Sequence, residues 1–160
     1  MPRIDLGAVA ENSGCSYPPP FAEICIGATW RKLGDAAGLT QFGVNLVRLP
    51  PGKWSSQRHW HTDEDEFVWM LEGEVVCVDD DGDLVLRPGD CVGWRAGAAN
   101  GHCLQNRSDR DAVYLEVGSR RPQTDACDYP DIDMVARPGE AFYRHRDGTP
   151  YEAADTGGAG

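Results

Sequence analysis

The sequence has no long apolar segment, and this absence argues against two classes of protein. No stretch of its 160 residues approaches the ~18 consecutive apolar residues that a membrane-spanning helix needs. Residues 1–16 lack the apolar core of a secretory signal peptide. We therefore expect no association with a membrane and a cytoplasmic location.

Basic residues are scarce as well. Lys and Arg total 15 against 26 Asp and Glu, which gives a formal net charge of -11. Binding to the phosphates of a nucleic acid, or to an anionic membrane surface, needs clustered positive charge. We therefore predict that neither nucleic acid nor a membrane is a partner of this protein.

The six cysteines include no Cys-x-x-Cys pair, the spacing typical of zinc ribbons and redox motifs. In a chain without a visible secretion signal they are predicted to be reduced thiols, most of them small core residues. At 160 residues the chain is expected to form one domain and to bury a core without covalent staples.

Helical periodicity is also missing, and short apolar segments between Gly, Pro and Asp turns take its place. This pattern favours an all-β sandwich or small barrel. A single helical turn is considered only at 133–136. Strands are predicted over 42–49, over 67–78 with a break near 72–73, and over 84–86, 91–95, 101–106 and 112–117.

The predicted domain has a barrel core with an irregular segment at each end. Residues 1–39 form an N-terminal arm with edge strands, 40–120 the core, and 121–160 a C-terminal extension. The arm contains Tyr17-Pro-Pro-Pro, which fits neither a central strand nor a helix interior. The small, Gly-rich end, 151–160, is predicted to be mobile.

Only four histidines occur, and three of them lie in two Gly-rich segments. His59 and His61 project from the same face of an apparent strand, roughly 6.6 Å apart along it. Glu66 opens the returning strand, and His102 lies in the second segment. Three imidazoles and one carboxylate suit a divalent first-row ion, so these four residues are the predicted metal ligands. The alternative is a polar hairpin whose histidines face solvent.

The same residues resemble the two motifs of the cupin superfamily. The first motif is matched at every position by Gly52, His59, His61, Glu66 and Gly73. The second is matched in order by Gly89, Gly97, His102 and Asn106. Two departures are visible: Arg95 stands where the family usually has Pro, and the loop 98–101 is longer than usual.

The resemblance is to small single-domain bacterial cupins and covers residues 40–120. It implies a double-stranded β-helix, the cupin jelly-roll barrel, with the metal inside. It also implies the ligand set His59, His61, Glu66 and His102. We expect one divalent transition metal per chain (Fe, Mn, Ni or Zn) and, because such cupins are often dimers, a homodimer.

Strand alternation predicts which residues lie beside the ligands. Gln57 shares a face with the two neighbouring histidines, and Met70 shares one with Glu66. Arg95 could hold an anionic group of a substrate, although a surface arginine is the alternative. Gln57, Met70 and Arg95 are the predicted substrate-binding residues, and no catalytic residue is assigned.

The sequence does not decide which face of one late strand looks inward. Tyr114 and Glu116 share one face of a late strand, opposite Leu115, and either face can look inward. Trp60 and Trp69 are predicted to point away from the ligands. An exposed stripe of such residues would mark an interface between subunits.

Four protein ligands leave one or two open positions on a five- or six-coordinate ion, as in catalytic sites. We favour an enzyme that acts on a small polar molecule by metal-assisted isomerase or lyase chemistry, similar to cupin-type sugar-phosphate isomerases. An Fe(II)-dependent dioxygenase is one alternative. A non-catalytic barrel that binds or senses a small ligand is the other, and the ligand set does not choose among them.

Overall fold

The structure is a computed structural model that describes residues 3–152. Most of the end that is predicted to be mobile, residues 153–160, lies outside the described residues. The described helices are the 3-10 helix Leu6–Ala8 and α1 (Leu33–Ala36), and neither is long enough to cross a membrane. The described strands are β1 (Glu11–Ser13), β2 (Thr29–Lys32), β3 (Phe42–Leu49), β4 (Trp60–His61), β5 (Glu66–Glu72), β6 (Val75–Asp79), β7 (Gly82–Leu86), β8 (Cys91–Trp94), β9 (Cys103–Gln105), β10 (Ala112–Ser119), β11 (Cys127–Tyr129), β12 (Met134–Ala136) and β13 (Tyr143–Arg144).

The strands form three antiparallel sheets. The largest has the order β1-β2-β3-β10-β5-β8, and the others have the orders β13-β12-β11-β4 and β7-β6-β9. Single antiparallel bridges, Trp54 with Gln105 and His59 with His102, connect the segment around β4 to β9. The predicted all-β class is confirmed, and each predicted core strand overlaps an observed one.

Alternation along β5 and β10 defines the interior of the barrel. Val68 and Met70 on β5 are 4% and 1% exposed, so the face that they share with Glu66 looks inward. On β10, Tyr114 is 1% exposed and belongs to the same core. Glu116 lies two residues further on and therefore also faces inward. The structure thus answers the question that the sequence left open for β10.

A second, smaller core joins the N-terminal arm to the C-terminal extension. Tyr17 and Cys25 of the arm are buried against Tyr129 and Met134 of the C-terminal extension. The rings of Tyr17 and Tyr129 meet edge to face, with centroids 5.7 Å apart. The arm and the extension therefore pack on each other beside the barrel.

The helical turn considered at 133–136 is wrong. Met134–Ala136 is the strand β12, which pairs with β11 on one side and β13 on the other. Met134 is 0% exposed, so its side chain fills the second core. Pairing with two neighbouring strands and burial of Met134 outweigh the weak local preference of this short segment.

The cysteines lie mostly where the sequence predicts them. All six are free thiols, of which Cys25, Cys77 and Cys103 are buried and Cys15 and Cys127 are half-buried. Cys91 is exposed on β8 and is the exception to the core prediction.

Two motif residues have structural roles. Gly73 has a φ of 70°, and a Cβ atom there would lie 2.4 Å from the backbone oxygen of Asp111. Asn106 is 1% exposed and donates from Nδ2 to the backbone oxygens of Leu49 and Arg110, at 2.7 and 2.8 Å. Both residues hold the ends of strands together, which explains why these residue types are needed there.

The outer face of β5 carries a row of exposed apolar side chains. Phe67, Trp69 and Leu71 are 40%, 49% and 39% exposed, and their spacing places them on one face. A row of this kind is the feature that would mark a subunit interface. The homodimer itself stays a prediction.

If this row forms the interface, Trp69→Glu is expected to convert the dimer to a monomer, because a carboxylate would be buried without a partner. Light scattering coupled to size-exclusion chromatography measures the mass. Leu84→Glu is the control, because Leu84 is 55% exposed but lies on β7, in another sheet. A Trp69→Glu protein that stays dimeric would contradict this placement of the interface.

Candidate metal centre

The backbone brings the two histidine segments side by side. The backbone N–H of His59 donates to the oxygen of His102 at 3.1 Å, and the reverse bond measures 2.9 Å. The ring centroid of His59 lies 5.1 Å from that of His61 and 5.4 Å from that of His102. The structure therefore gathers the three predicted histidines, and the longer loop 98–101 does not displace His102.

Glu66 joins this cluster from β5, in a different sheet. Its Oε2 lies 2.7 Å from Nε2 of His102, and its Oε1 lies 3.7 Å from Nε2 of His61. Potential ligand atoms of His59, His61 and Glu66 lie within 4.8 Å of one another. All four predicted ligands are thus brought together, while metal binding by them stays a prediction.

Hydrogen bonds fix which nitrogen of each histidine faces the cluster. Every Nδ1 contacts an oxygen that can only accept, so Nδ1 carries the proton and the lone pair of the neutral ring lies on Nε2. The acceptors are the backbone oxygen of Gln57 for His59 (2.9 Å), that of Asn100 for His102 (3.2 Å) and Oδ2 of Asp125 for His61 (2.6 Å).

Burial and charge set the protonation states of three members of the cluster. Burial lowers the pKa of His59 to about 4. Burial opposes ionisation of Glu66, but the hydrogen bond with His102 and the charges of the histidines outweigh it and lower the pKa of Glu66 to about 2. For His61, burial is outweighed by the carboxylates of Glu66 and Asp125, which raise its pKa. At neutral pH His59 is therefore neutral and Glu66 is ionised, the forms that bind a metal.

The donor set fits a divalent transition metal. Imidazole nitrogens suit Fe, Ni and Zn, and one carboxylate completes a site of mixed donors. Nε2 of His102 and Oε2 of Glu66 lie 2.7 Å apart, and a cation bound by both atoms would take the place of this contact. These residues do not determine which metal binds.

The chain is similar to solved structures over nearly its whole length. A structure from Silicibacter pomeroyi, described as a sugar phosphate isomerase from a cupin superfamily, is 44% identical with a TM-score of 0.89, and the match covers 95% of this chain and 98% of that one. The sequence model of the cupin domain matches residues 45–118. The chain belongs to the cupin superfamily. The predicted double-stranded β-helix of this cupin is therefore confirmed.

More distant similarities agree with this family. A structure from Acidithiobacillus ferrooxidans, whose name also refers to a sugar phosphate isomerase, is 31% identical with a TM-score of 0.65 and is matched over 78% of this cupin and 74% of that chain. A predicted oxalate decarboxylase from Thermotoga maritima is 22% identical with a TM-score of 0.59, over 73% and 97% of the two chains, and supports the fold alone. No curated protein matches this cupin.

Aromatic rings enclose two of the histidines. The ring of Trp94 stacks on His102 with centroids 3.7 Å apart and planes inclined by 5°. The ring of Tyr129 stacks on His59 at 5.5 Å. Trp94 therefore packs on a predicted ligand and limits the rotation of its ring.

The C-terminal extension supplies residues that the sequence analysis missed. Asp125 contacts His61, and Sγ of Cys127 lies 3.3 Å from Nδ1 of the same ring. Burial raises the pKa of the Cys127 thiol, so it is protonated at neutral pH. No local pattern could identify these residues, because they lie more than 60 positions from His61 and follow the second motif.

The predicted substrate-binding residues have three different environments. Gln57 donates from Nε2 to the backbone oxygen of Phe21 at 2.8 Å, so its amide is engaged with the arm. Met70 packs in the main core, and Arg95 is exposed just after β8. Their role in substrate binding stays a prediction.

Two cavities lie near the cluster and share Asn45 and Glu116. The metal-side cavity, of about 410 Å³, reaches His61 and Glu66. It is also lined by Lys32, Asp35, Gly43, Glu64, Gly118, Ser119 and Arg120. The second, of about 260 Å³, is termed the tyrosine cavity because Tyr17, Tyr114 and Tyr143 line it.

We expect His61→Ala to lose most of the bound metal while the barrel stays folded, because His61 is half-buried and removal of one ligand leaves the core intact. Elemental analysis of untagged protein, with metal counted per chain, measures the effect. His145→Ala is the control, because the fourth histidine pairs with Asp133 on the surface. Equal metal content in both variants would rule out His61 as a ligand.

Proposed function

We propose that this cupin is a metal-dependent isomerase of small sugars, with sugar phosphates as the first substrate class to test. Support comes from the similarity to the protein from Silicibacter pomeroyi and from the cluster of candidate ligands beside a cavity. The observation that carries the proposal is a carboxyl group, Glu116, at the junction of the two cavities.

Glu116 has the properties of a proton-transfer group. It faces the interior from β10, and Nδ2 of Asn45 donates to its Oε2 at 3.1 Å. Burial raises the pKa of Glu116, and the charge of Glu66 raises it further. A carboxylate with a raised pKa is a stronger base and can accept a proton and return it during a reaction.

Interconversion of an aldose and a ketose needs such a group. One proton leaves the carbon next to the carbonyl and returns to the former carbonyl carbon. A second proton passes from the hydroxyl oxygen on the first of these carbons to the former carbonyl oxygen, so there is no net oxidation. Glu116 would take and return this proton, while Asn45 holds its carboxyl group in place. A divalent cation bound by His59, His61 and Glu66 would polarise the carbonyl group of the substrate.

The metal-side cavity also contains groups that suit a phosphate. Lys32 and Arg120 line it, and Arg120 is held by the backbone oxygen of Leu39 and by Asp35. Within residues 3–152, Lys32 forms no ion pair with a carboxylate and is available to an anionic group. These two cations are further candidates for recognition of a substrate anion, beside Arg95, whose role stays a prediction.

The experiment loads the protein separately with Zn²⁺, Mn²⁺, Ni²⁺ or, without oxygen, Fe²⁺. Each form is incubated in D₂O with aldose and ketose phosphates and with the unphosphorylated sugars. Proton NMR detects the isomer and the deuterium that enters at the exchanging carbon. We expect turnover with at least one pair of metal and sugar, and preference for the phosphorylated form.

Glu116→Gln tests the carboxyl group within the same assay. We expect kcat to fall roughly 10²–10⁴-fold with unchanged metal content, because the amide keeps the shape but cannot accept the proton. His145→Ala should retain full activity. Absence of product and of deuterium exchange with every sugar would contradict the isomerase. Oxygen uptake by the iron form would then favour a dioxygenase, and binding of a sugar without turnover would favour a non-catalytic barrel.

A further inference from the structure

The C-terminal extension forms a wall of the candidate metal centre, although it follows the residues 45–118 that match the cupin domain. Its strand β11 pairs with β4, with Cys127 opposite His61. The backbone N–H of Thr62 donates to the oxygen of Ala126 at 2.9 Å, and the N–H of Ala126 donates to Oγ1 of Thr62 at 2.8 Å. This pairing places the segment before β11 directly against the ring of His61.

Asp125 makes the decisive contact from this segment. Its Oδ2 accepts a hydrogen bond from Nδ1 of His61 at 2.6 Å, and its Oδ1 accepts one from the backbone N–H of Asp63 at 2.8 Å. The side chain of Asp125 is 8% exposed. Both carboxylate oxygens are therefore engaged, and the second bond prevents the carboxylate from turning away from the ring.

His61 differs in this respect from the other two histidines. Their Nδ1 atoms face backbone carbonyl groups, which are neutral acceptors. The partner of His61 is a side-chain carboxylate at 2.6 Å, and hydrogen bonds to carboxylates are shorter and stronger than those between neutral groups. A carboxylate in this position also makes the opposite ring nitrogen a better donor to a metal.

We propose that Asp125 is a positioning residue that keeps the proton of His61 on Nδ1 and directs its Nε2 to the metal. The inference rests on the proposed metal centre and deepens it, because it assigns part of the metal affinity to a residue outside the matched domain. Asp125 touches neither the metal nor a substrate in this role.

The geometry also offers a competing role in which Asp125 is itself a ligand. Ligand atoms of His61, Asp125 and Cys127 lie within 4.8 Å of one another. In that arrangement His61 would bind a second ion through Nδ1, and the protein would hold two ions per chain. A positioning role requires one ion per chain and a proton on Nδ1, so the two roles have different outcomes.

Asparagine at position 125 separates positioning from simple packing. It has nearly the same shape but only one acceptor oxygen, while both His61 and the N–H of Asp63 donate. When its oxygen accepts from Asp63, its NH₂ group faces the ring and requires a lone pair on Nδ1. The proton then moves to Nε2, the nitrogen that would bind the metal.

The test measures Zn²⁺ affinity by competition with a chelating dye, and Zn²⁺ per chain, for wild type and three variants. Asp125→Asn and Asp125→Ala remove the carboxylate. Thr62→Val is the matched control, because it removes one bond between β4 and the extension without touching Asp125. We expect the affinity to fall about 10–100-fold in the two Asp125 variants and to stay within about threefold in the control.

Nitrogen NMR of the metal-free protein with labelled histidine provides a readout that packing alone would not change. We expect the neutral ring of His61 to carry its proton on Nδ1 in wild type and in Thr62→Val, and on Nε2 in Asp125→Asn. This spectrum tests the proposal on wild type even if a variant does not fold.

Three results would overturn the proposal. The first is a neutral wild-type His61 that carries its proton on Nε2. The second is a wild-type protein that binds Zn²⁺ tightly and two Asp125 variants that bind it with the same affinity. The third is two Zn²⁺ per wild-type chain of which one is lost in Asp125→Ala, which would make Asp125 a ligand. A wild-type protein that binds no Zn²⁺ would instead remove the metal centre and this inference together.

Discussion

The antiparallel bridge between His59 and His102 is the constraint on which the candidate centre depends. Its two backbone hydrogen bonds join segments from two sheets, and strand geometry then orients His61 toward the same interior. Glu66 arrives from the third sheet. The cluster therefore lies where all three sheets meet, and its geometry is as rigid as the packing between them.

Much of this centre could be predicted from the sequence, because its signals are local. His59, His61 and Glu66 lie within one short segment of the chain, and the alternation of a strand is enough to place the two histidines on one face. The same holds for the strand boundaries, which Gly and Pro mark. Prediction failed where packing decides and the local pattern does not: the strand Met134–Ala136 is stabilised by pairing with β11 and β13, and Asp125 reaches His61 across 64 positions. Glu116 is intermediate, since its strand was predicted but the direction of its face needed the packing.

The barrel provides the common fold, and the segments outside it line part of the cavities. Residues such as Gly73 and Asn106 support the barrel that cupins share, whereas the walls of the cavities come partly from outside the matched domain. Tyr17 of the arm and Tyr143 of the extension line the tyrosine cavity, and the two segments share a core. Chemistry on a common fold is set by such local additions, so the arm and the extension are where we expect this cupin to differ from other members of the superfamily.

The long separation between His61 and Asp125 also has a consequence for the order of folding. Contacts between residues far apart in the chain form only after a costly loop closure, and the transition state of folding favours local contacts. We therefore expect the last wall of the centre to close late, after the local segment that carries His61 and Glu66. Stabilisation gained after the transition state appears in the unfolding rate. A bound ion would accordingly slow the opening of the native protein much more than it would speed its formation.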